Sequence, residues 1–268
     1  MTQQAKKAKI RFEHVEKKFV TKRQTIHALS DINLTIPENE IVSIVGPSGC
    51  GKSTIIRLLD DIIKPTSGDI YVDDYRFEKQ IPKEVIRKMG FIFQRPNLLP
   101  WLTLRENIAF PQKVLGLKGP EWDKVVDELL EMGKLTKYAD AKPASLSGGM
   151  LQRAGVLRSM SFRPEILLMD EPFGALDETL REQLDLETLA MWERLGQTII
   201  FITHNVREAV LMSSKVYVMA TRPGRMVAEI PIDLPYPRTL DIIMDPKFIE
   251  YEQKITNLIG EIDLSKIV

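Results

Sequence analysis

The chain has 268 residues, 44% hydrophobic and 28% charged, with 37 Lys plus Arg balanced by 37 Asp plus Glu. That length and composition suit one large globular domain or two small ones. A formal net charge of zero speaks against a sequence-independent nucleic-acid binder, which is usually basic overall or along one stripe, and a single cysteine, Cys50, excludes an internal disulfide.

The first lysines, in "KKAKIRF", are few and mixed with apolar residues, and read as a solvated start. The N-terminus lacks the apolar centre of a signal peptide. No apolar run approaches the ~18 residues that span a bilayer, so a soluble chain is expected, one that could sit on a membrane protein. "KIRFEHVEKKF" and "IHALSDINLTI" alternate apolar and polar residues, as half-buried antiparallel strands do. "EIVSIVG" is a continuous β-branched run ending in glycine, the pattern of a central buried strand. "KSTIIRLLDD" reads as a helix, and "GDIYVDD" and "KMGFIFQ" as short strands.

From about Trp101 to Met160 the spacing becomes helical, with helices in "TLRENIAF", "WDKVVDELLEMG" and the stretch after the glycine pair 148–149. "EILLMDEP", "QTIIFITH" and "KVYVMATRPGRMVAEI" return to strands, and a helix over Glu178–Leu195 separates the first two. This order predicts a parallel α/β core with a helical insertion. "DPKFIEYEQKITNLI" reads as one amphipathic helix packed on that core. No internal repeat or low-complexity linker interrupts the chain.

"GPSGCGKST" (Gly46, Pro47, Ser48, Gly49, Cys50, Gly51, Lys52, Ser53, Thr54) is a P-loop between a buried strand and a helix. Its glycines let successive backbone N–H groups turn inward around an anion, and the helix start adds a positive dipole end. Lys52 supplies a cation for β- and γ-phosphates, and Ser53 a hydroxyl for Mg²⁺, which takes oxygen ligands. Because Cys50 lies in this loop, a thiol reagent is expected to block nucleotide binding. In "ILLMDEP", Asp170 is the natural Mg²⁺ partner. Alternation along a strand points Glu171 away from Asp170, where it could take a proton from an attacking water; both acids could also be plain helix caps. A second glycine pair, in "SLSGGMLQR", opens a helix and could cradle another phosphate.

"GPSGCGKST", "SLSGGM", "ILLMDEPFGALD" and "FITHN", in this order, resemble the ATP-binding cassette of ABC transporters over about residues 9 to 230. The resemblance implies an α/β P-loop NTPase (RecA-like) parallel-sheet core with an N-terminal antiparallel β-subdomain and an inserted α-helical subdomain. It implies one ATPase domain over 1–235, with the helical subdomain at about 97–160, and a helical tail over 236–268. It implies ATP and Mg²⁺ as cofactors. It also implies a homodimer formed on ATP binding, in which Ser147, Gly148 and Gly149 of each copy contact the γ-phosphate held by the other. That head-to-tail pairing explains two phosphate cradles in one chain. Gln94 matches the glutamine that touches Mg²⁺ and faces the membrane partner, and His204 the histidine that contacts the γ-phosphate and positions Glu171 and water. Asp177 matches the loop that crosses the dimer interface. Phe19 falls at the adenine-stacking aromatic, or else in the core. Leu98, Leu99, Pro100 and Trp101 suit a permease contact, or else the core.

Two departures stand out. Met150 replaces the signature glutamine, and Leu151 the usual arginine, which bears on ATPase rate and dimer lifetime. "ATRPGRMVAEIPIDLPYPR" and the stretch after it look like the end of nitrate/sulfonate/taurine-type importer cassettes. That branch implies import through a separate permease, a solute-binding protein, and a peripheral place on the cytoplasmic side of the cell (inner) membrane. Rival readings are a soluble ABC-type ATPase of DNA repair or translation, a nucleotide sensor without turnover, and an exporter or lipid-transport cassette. Only 95 residues separate Lys52 from Ser147, too few for the coiled-coil insertion of repair members.

Overall fold

A computed structural model describes residues 7–22, 24–78 and 81–264. Two long strands open the chain, β1 (Ala8–Val20) and β2 (Thr25–Pro37), followed by β3 (Ile41–Val45) and α1 (Lys52–Leu59). Next come β4 (Ser67–Val72), β5 (Tyr75–Arg76), α2 (Lys83–Ile86) and β6 (Met89–Phe93). Three helices are then inserted, α3 (Leu104–Val114), α4 (Pro120–Met132) and α5 (Gly148–Met160). The chain returns through β7 (Ile166–Asp170), α6 (Glu178–Leu195), β8 (Thr198–Ile202), α7 (Val206–Met212), β9 (Lys215–Ala220) and β10 (Arg225–Pro231). It finishes with α8 (Pro246–Leu264).

The strands form two sheets. A four-stranded antiparallel sheet runs β2-β1-β4-β5, and a six-stranded sheet runs β10-β9-β3-β8-β7-β6. The second is parallel from β9 to β6, with β10 antiparallel at its edge. β3 and β8 are buried along their whole length, as continuous apolar runs in a doubly covered parallel sheet must be. One face of this sheet packs Val42, Ile44, Leu168 and Ile200 against α1 and the inner face of the antiparallel sheet, including Ile10, Phe12 and Leu34. The other face packs Ile41, Met169 and Phe201 against the inserted helices, α7 and α8. Phe248 and Ile255 of α8 are fully buried there, seven residues apart on one helix face. Thr103 and Glu106 make a capping box that starts α3.

The N-terminal lysines depart from the solvated reading. Lys6 lies outside the described residues, and Lys7 is exposed, paired with Asp74 at 3.2 Å. Lys9, however, is only 4% exposed. Its ammonium meets Asp73 at 2.8 Å and also Glu165, which precedes β7. Alternation puts Lys9 on the face opposite Ile10 and Phe12, yet Asp73, Glu165 and Glu38 close around its ammonium, as a buried cation requires.

The turn between β9 and β10 presses on the P-loop. Gly224 N–H donates to Ala28 O (3.1 Å), and Ser30 N–H donates to Gly224 O (2.8 Å). A Cβ on Gly224 would stand 2.1 Å from Cys50 O and 2.7 Å from Ala28 O, both backbone atoms that cannot swing aside. Gly224→Ala should therefore destabilise the fold by about 1–3 kcal/mol, the usual cost of overpacking. Thermal unfolding should show a fall of about 2–4 °C per kcal/mol for a chain of this size; an unchanged melting temperature would show that the turn can move off the loop.

Candidate functional site

The P-loop leaves buried β3 and enters α1, so its backbone is fixed at both ends. Gly51 caps α1 at φ +104°, in the left-handed region, and a Cβ there would stand 2.6 Å from Leu29 Cδ2. Lys52 Nζ donates to Gly46 O (2.7 Å) and Pro47 O (3.3 Å). No carboxylate among the described residues pairs with it. Around the loop lies a cleft of about 500 Å³, lined among others by Phe19, His27, Ser48, Lys52, Glu171 and Arg222. Phe19 belongs to neither apolar core; it is an aromatic wall of this cleft, with Lys17 Nζ 5.0 Å from its ring centroid.

Cys50 corrects a sequence expectation. Its side chain is 1% exposed and packs in the core. Burial pushes its thiol up, and the nearby Lys52 only partly offsets this. A protonated, enclosed sulfur is a poor nucleophile, so only the backbone of Cys50 serves the loop. A thiol reagent should leave nucleotide binding of the folded protein intact and label Cys50 rapidly only in denaturant, as mass spectrometry would read.

The strand ends supply the acids. Ser53 Oγ donates to Asp170 Oδ1 at 3.1 Å. Burial raises the Asp170 pKa, the Glu171 charge adds to this, and the Ser53 hydrogen bond opposes it. Ser53, Gln94, Asp170 and Glu171 share a second cleft of about 430 Å³. Hydroxyl, amide and carboxylate oxygens gathered there suit a hard cation such as Mg²⁺.

Glu171 does not follow strand alternation. β7 stops at Asp170, and Glu171 takes φ +47°, a conformation costly for a residue with a Cβ and often found at functional sites. Its N–H still donates to Ile202 O at 2.8 Å. The reversed backbone keeps Glu171 on the same side as Asp170, lining both clefts. Glu171 Oε2 is 3.1 Å from His204 Nδ1, and a Cβ on Gly174 would lie 3.5 Å from Glu171 Oε2 and 3.6 Å from Gln94 Nε2. The structure thus gathers Lys52, Ser53, Gln94, Asp170, Glu171 and His204 at the C-terminal ends of the parallel strands, the usual ligand side of such sheets.

It does not bring the signature there. Ser147 caps α5, its Oγ accepting from Met150 N–H at 3.4 Å. A Cβ on Gly148 would meet nothing within 4 Å, while one on Gly149 would touch Leu180. Asp177 caps α6 through Leu180 N–H (3.0 Å). Neither cleft is lined by Ser147, Gly148, Gly149 or Asp177. Met150 is half-buried against the core, so its flexible thioether has apolar partners.

Sequence reasoning missed how α5 is tied to the acids. Gln152, buried, donates through Nε2 to Pro172 O, just past Glu171. Arg158 donates to Pro96 O and Asn97 O (2.8 Å each), just past Gln94. Gln152 and Arg158, polar residues inside a largely apolar helix, were the available signal. A second missed group lies behind His204. Asp185 and Glu208 are 1% and 4% exposed, and Thr203 donates to Glu208. Burial first, then the Glu208 charge, pushes Asp185 well above the usual carboxylate range. Burial also raises Glu208, with Thr203 and Arg181 opposing. The pair therefore keeps a proton when folded that the unfolded chain would release above the ordinary Asp value of 3.8.

The sign follows from linkage. A carboxyl raised in the folded state makes folding less favourable as pH rises from its unfolded value toward its folded one. Asp185→Asn replaces the O–H donor of the protonated carboxyl with an amide N–H and cannot titrate. Its melting temperature relative to the unmodified chain should therefore climb between pH 4 and pH 8; a difference flat in pH would show that Asp185 holds no proton.

The family model described as ABC transporter matches residues 29–174. The nitrate import ATP-binding protein NrtD of Synechocystis sp. is 39% identical over 247 residues, 90% of this chain and 91% of its own length. The aliphatic sulfonates import ATP-binding protein SsuB of Bacillus cereus is 38% identical over 225 residues, 84% of this chain and 86% of its own. Among solved structures, the dimeric post-hydrolysis state of the ATP-binding cassette MJ0796, bound to ADP and Pi, superposes with a TM-score of 0.73. It is 32% identical, covering 84% of this chain and 100% of that one.

Proposed function

This chain belongs to the ABC transporter family of ATP-binding cassettes, which hydrolyse ATP, and from that premise we propose that it is the ATPase subunit of an importer for a small solute of the nitrate, sulfonate or taurine type. The solute class is taken from the names of NrtD and SsuB, relatives that align over most of the chain. Residues 1–235 act as one ATPase domain, with the insertion at about 97–160 as its helical lobe and 236–268 as a tail on the core.

One observation carries the mechanism. A single chain gathers the P-loop, both carboxylates and Gln94 around two clefts that share Ser53 and Glu171, with His204 against Glu171, yet leaves Ser147 and Gly148 at a bare helix start away from them. Two copies joined head to tail would complete each cleft with the other's signature. The dimeric MJ0796 cassette holding ADP and Pi supports that arrangement. Ser53, Asp170 and Gln94 would hold Mg²⁺, which supplies positive charge to the phosphates when bound. Backbone N–H groups of the P-loop and Lys52 bind and orient the β- and γ-phosphates, and stabilise charge as the phosphoryl group passes to water. Glu171 accepts the proton of that water at a carboxylate oxygen. His204 Nδ1 fixes the carboxylate, and Phe19 stacks on the adenine, a contact worth about 1–3 kcal/mol per base in other settings.

No described helix is long and apolar enough to cross a membrane. Import would run through a separate permease, served outside by a solute-binding protein, as the import cassettes among the relatives suggest. The chain would sit peripherally on the cytoplasmic side of the cell membrane. The loop after Gln94 offers a docking face: Phe93 is 45% and Trp101 66% exposed. Pro100 is exposed beside them, while Leu98 and Leu99 are half-buried.

Glu171→Gln should lower kcat by about 10²–10⁴-fold, the usual contribution of a general base, while ATP binding persists. With hydrolysis blocked, the variant should run as a dimer in MgATP and a monomer without it by light scattering. A Glu171→Gln variant that stays monomeric in excess MgATP would count against the composite site.

A further inference from the structure

The "TRPGR" turn borders the nucleotide cleft, and the mechanism above gives its arginine nothing to do. Arg222 lines that cleft together with Ser48, Gly49 and Lys52. The residue is exposed and makes no ion pair or hydrogen bond among the described residues. Its backbone is held at φ +58°, the left-handed region, which a residue with a Cβ adopts at a cost and keeps only where its surroundings enforce it. Here they do. Two residues on, Gly224 is hydrogen-bonded both ways to β2 and sits too close to Cys50 O for any side chain. The turn is therefore fixed to the P-loop itself, and Arg222 is carried at a set position on the rim.

Charge decides what such a residue would meet. Among the described residues that line this cleft, Arg222 and Lys52 are the permanent cations and Glu171 the one acid. A guanidinium with no protein partner, above a loop built for phosphate, matches phosphate oxygens in charge and in its fork of donors. We propose that Arg222 binds the phosphates of the nucleotide held in its own chain's P-loop, as a second cation beside Lys52. The proposal rests on the ATP-binding reading of the cleft. It makes the β9–β10 turn part of the nucleotide site, reached from the far end of the sequence.

The test is equilibrium binding of ATP, ADP and AMP, without turnover, to the full chain and to Arg222→Ala, Arg222→Gln and Arg222→Lys. Charge-assisted contacts at a partly solvated site weaken with salt. Arg222→Ala and Arg222→Gln should bind ATP and ADP about 5–20-fold more weakly at low salt, with a smaller loss for AMP and a shallower salt dependence. Arg222→Lys should recover part of the affinity. Because the side chain is exposed, melting temperatures should stay within a degree or two of the unmodified chain. Equal ATP affinity in Arg222→Ala and the unmodified chain would overturn the role of Arg222 while leaving ATP binding intact. A loss as large for AMP as for ATP, unrecovered by lysine, would overturn it in favour of base stacking. If the unmodified chain itself bound no ATP, the reading of the cleft would fall, and this proposal with it.

Discussion

The hydrogen bond from Ser53 Oγ to Asp170 Oδ1 joins the end of β7 to the first turn of the helix that follows β3. β8 lies between those two strands, so the bond closes a short circuit across three adjacent buried strands. Each of those strands is positioned by packing on both faces. The phosphate loop and the carboxylate pair are therefore tied together through these strands. A site built on rigid strand ends holds its geometry better than one built on free loops.

Past Asp170 the chain must turn at once. The left-handed Glu171 makes that turn, and its N–H still bonds Ile202 O. The side chain is thereby brought to His204 instead of to the opposite face of the sheet. Strain at one residue is tolerated because the hydrogen bond and the His204 contact over-determine it. The same exit is reached by α5: Gln152 donates to Pro172 O, and Arg158 donates to Pro96 O and Asn97 O, two and three residues past Gln94. Side-chain hydrogen bonds thus tie α5 to the segments that follow both Glu171 and Gln94. This gives a physical route between the bare start of α5 and the cleft, although the two do not touch within one chain.

Behind His204, the charges are arranged differently from those in front. Asp185 and Glu208 face one another's elements in a dry space, with Thr203 as the hydroxyl donor. Burial first, and then the Glu208 charge, raise the pKa of Asp185 there. Lys9 shows the other solution to burial, a cation ringed by Asp73 and Glu165. One site keeps a proton and the other collects counter-charges. Both hold elements together that sequence distance separates.

Much of the cleft was legible in the residues alone. The P-loop declares itself by glycine spacing between an apolar run and a helix, and β3, β7 and β8 by continuous apolar stretches, because these signals are local. The 178–195 helix is fixed by Asp177 at its start and Gly196 past its end. What the sequence could not decide were facts of close approach. Alternation misdirected Glu171, since one backbone dihedral overrides the period of a strand. Cys50 reads as a cleft thiol in the string and is a core side chain in the fold. Lys9 reads as solvated and is buried, because its partners lie 64 and 156 residues away. Phe19, open between core and cleft, becomes a cleft wall only when β1 and β2 are laid beside the loop. The chain itself determined the elements and the chemistry of the phosphate loop. Tertiary structure alone decided which side chains face that loop, because burial and pairing depend on neighbours that strand order, and not sequence order, brings together.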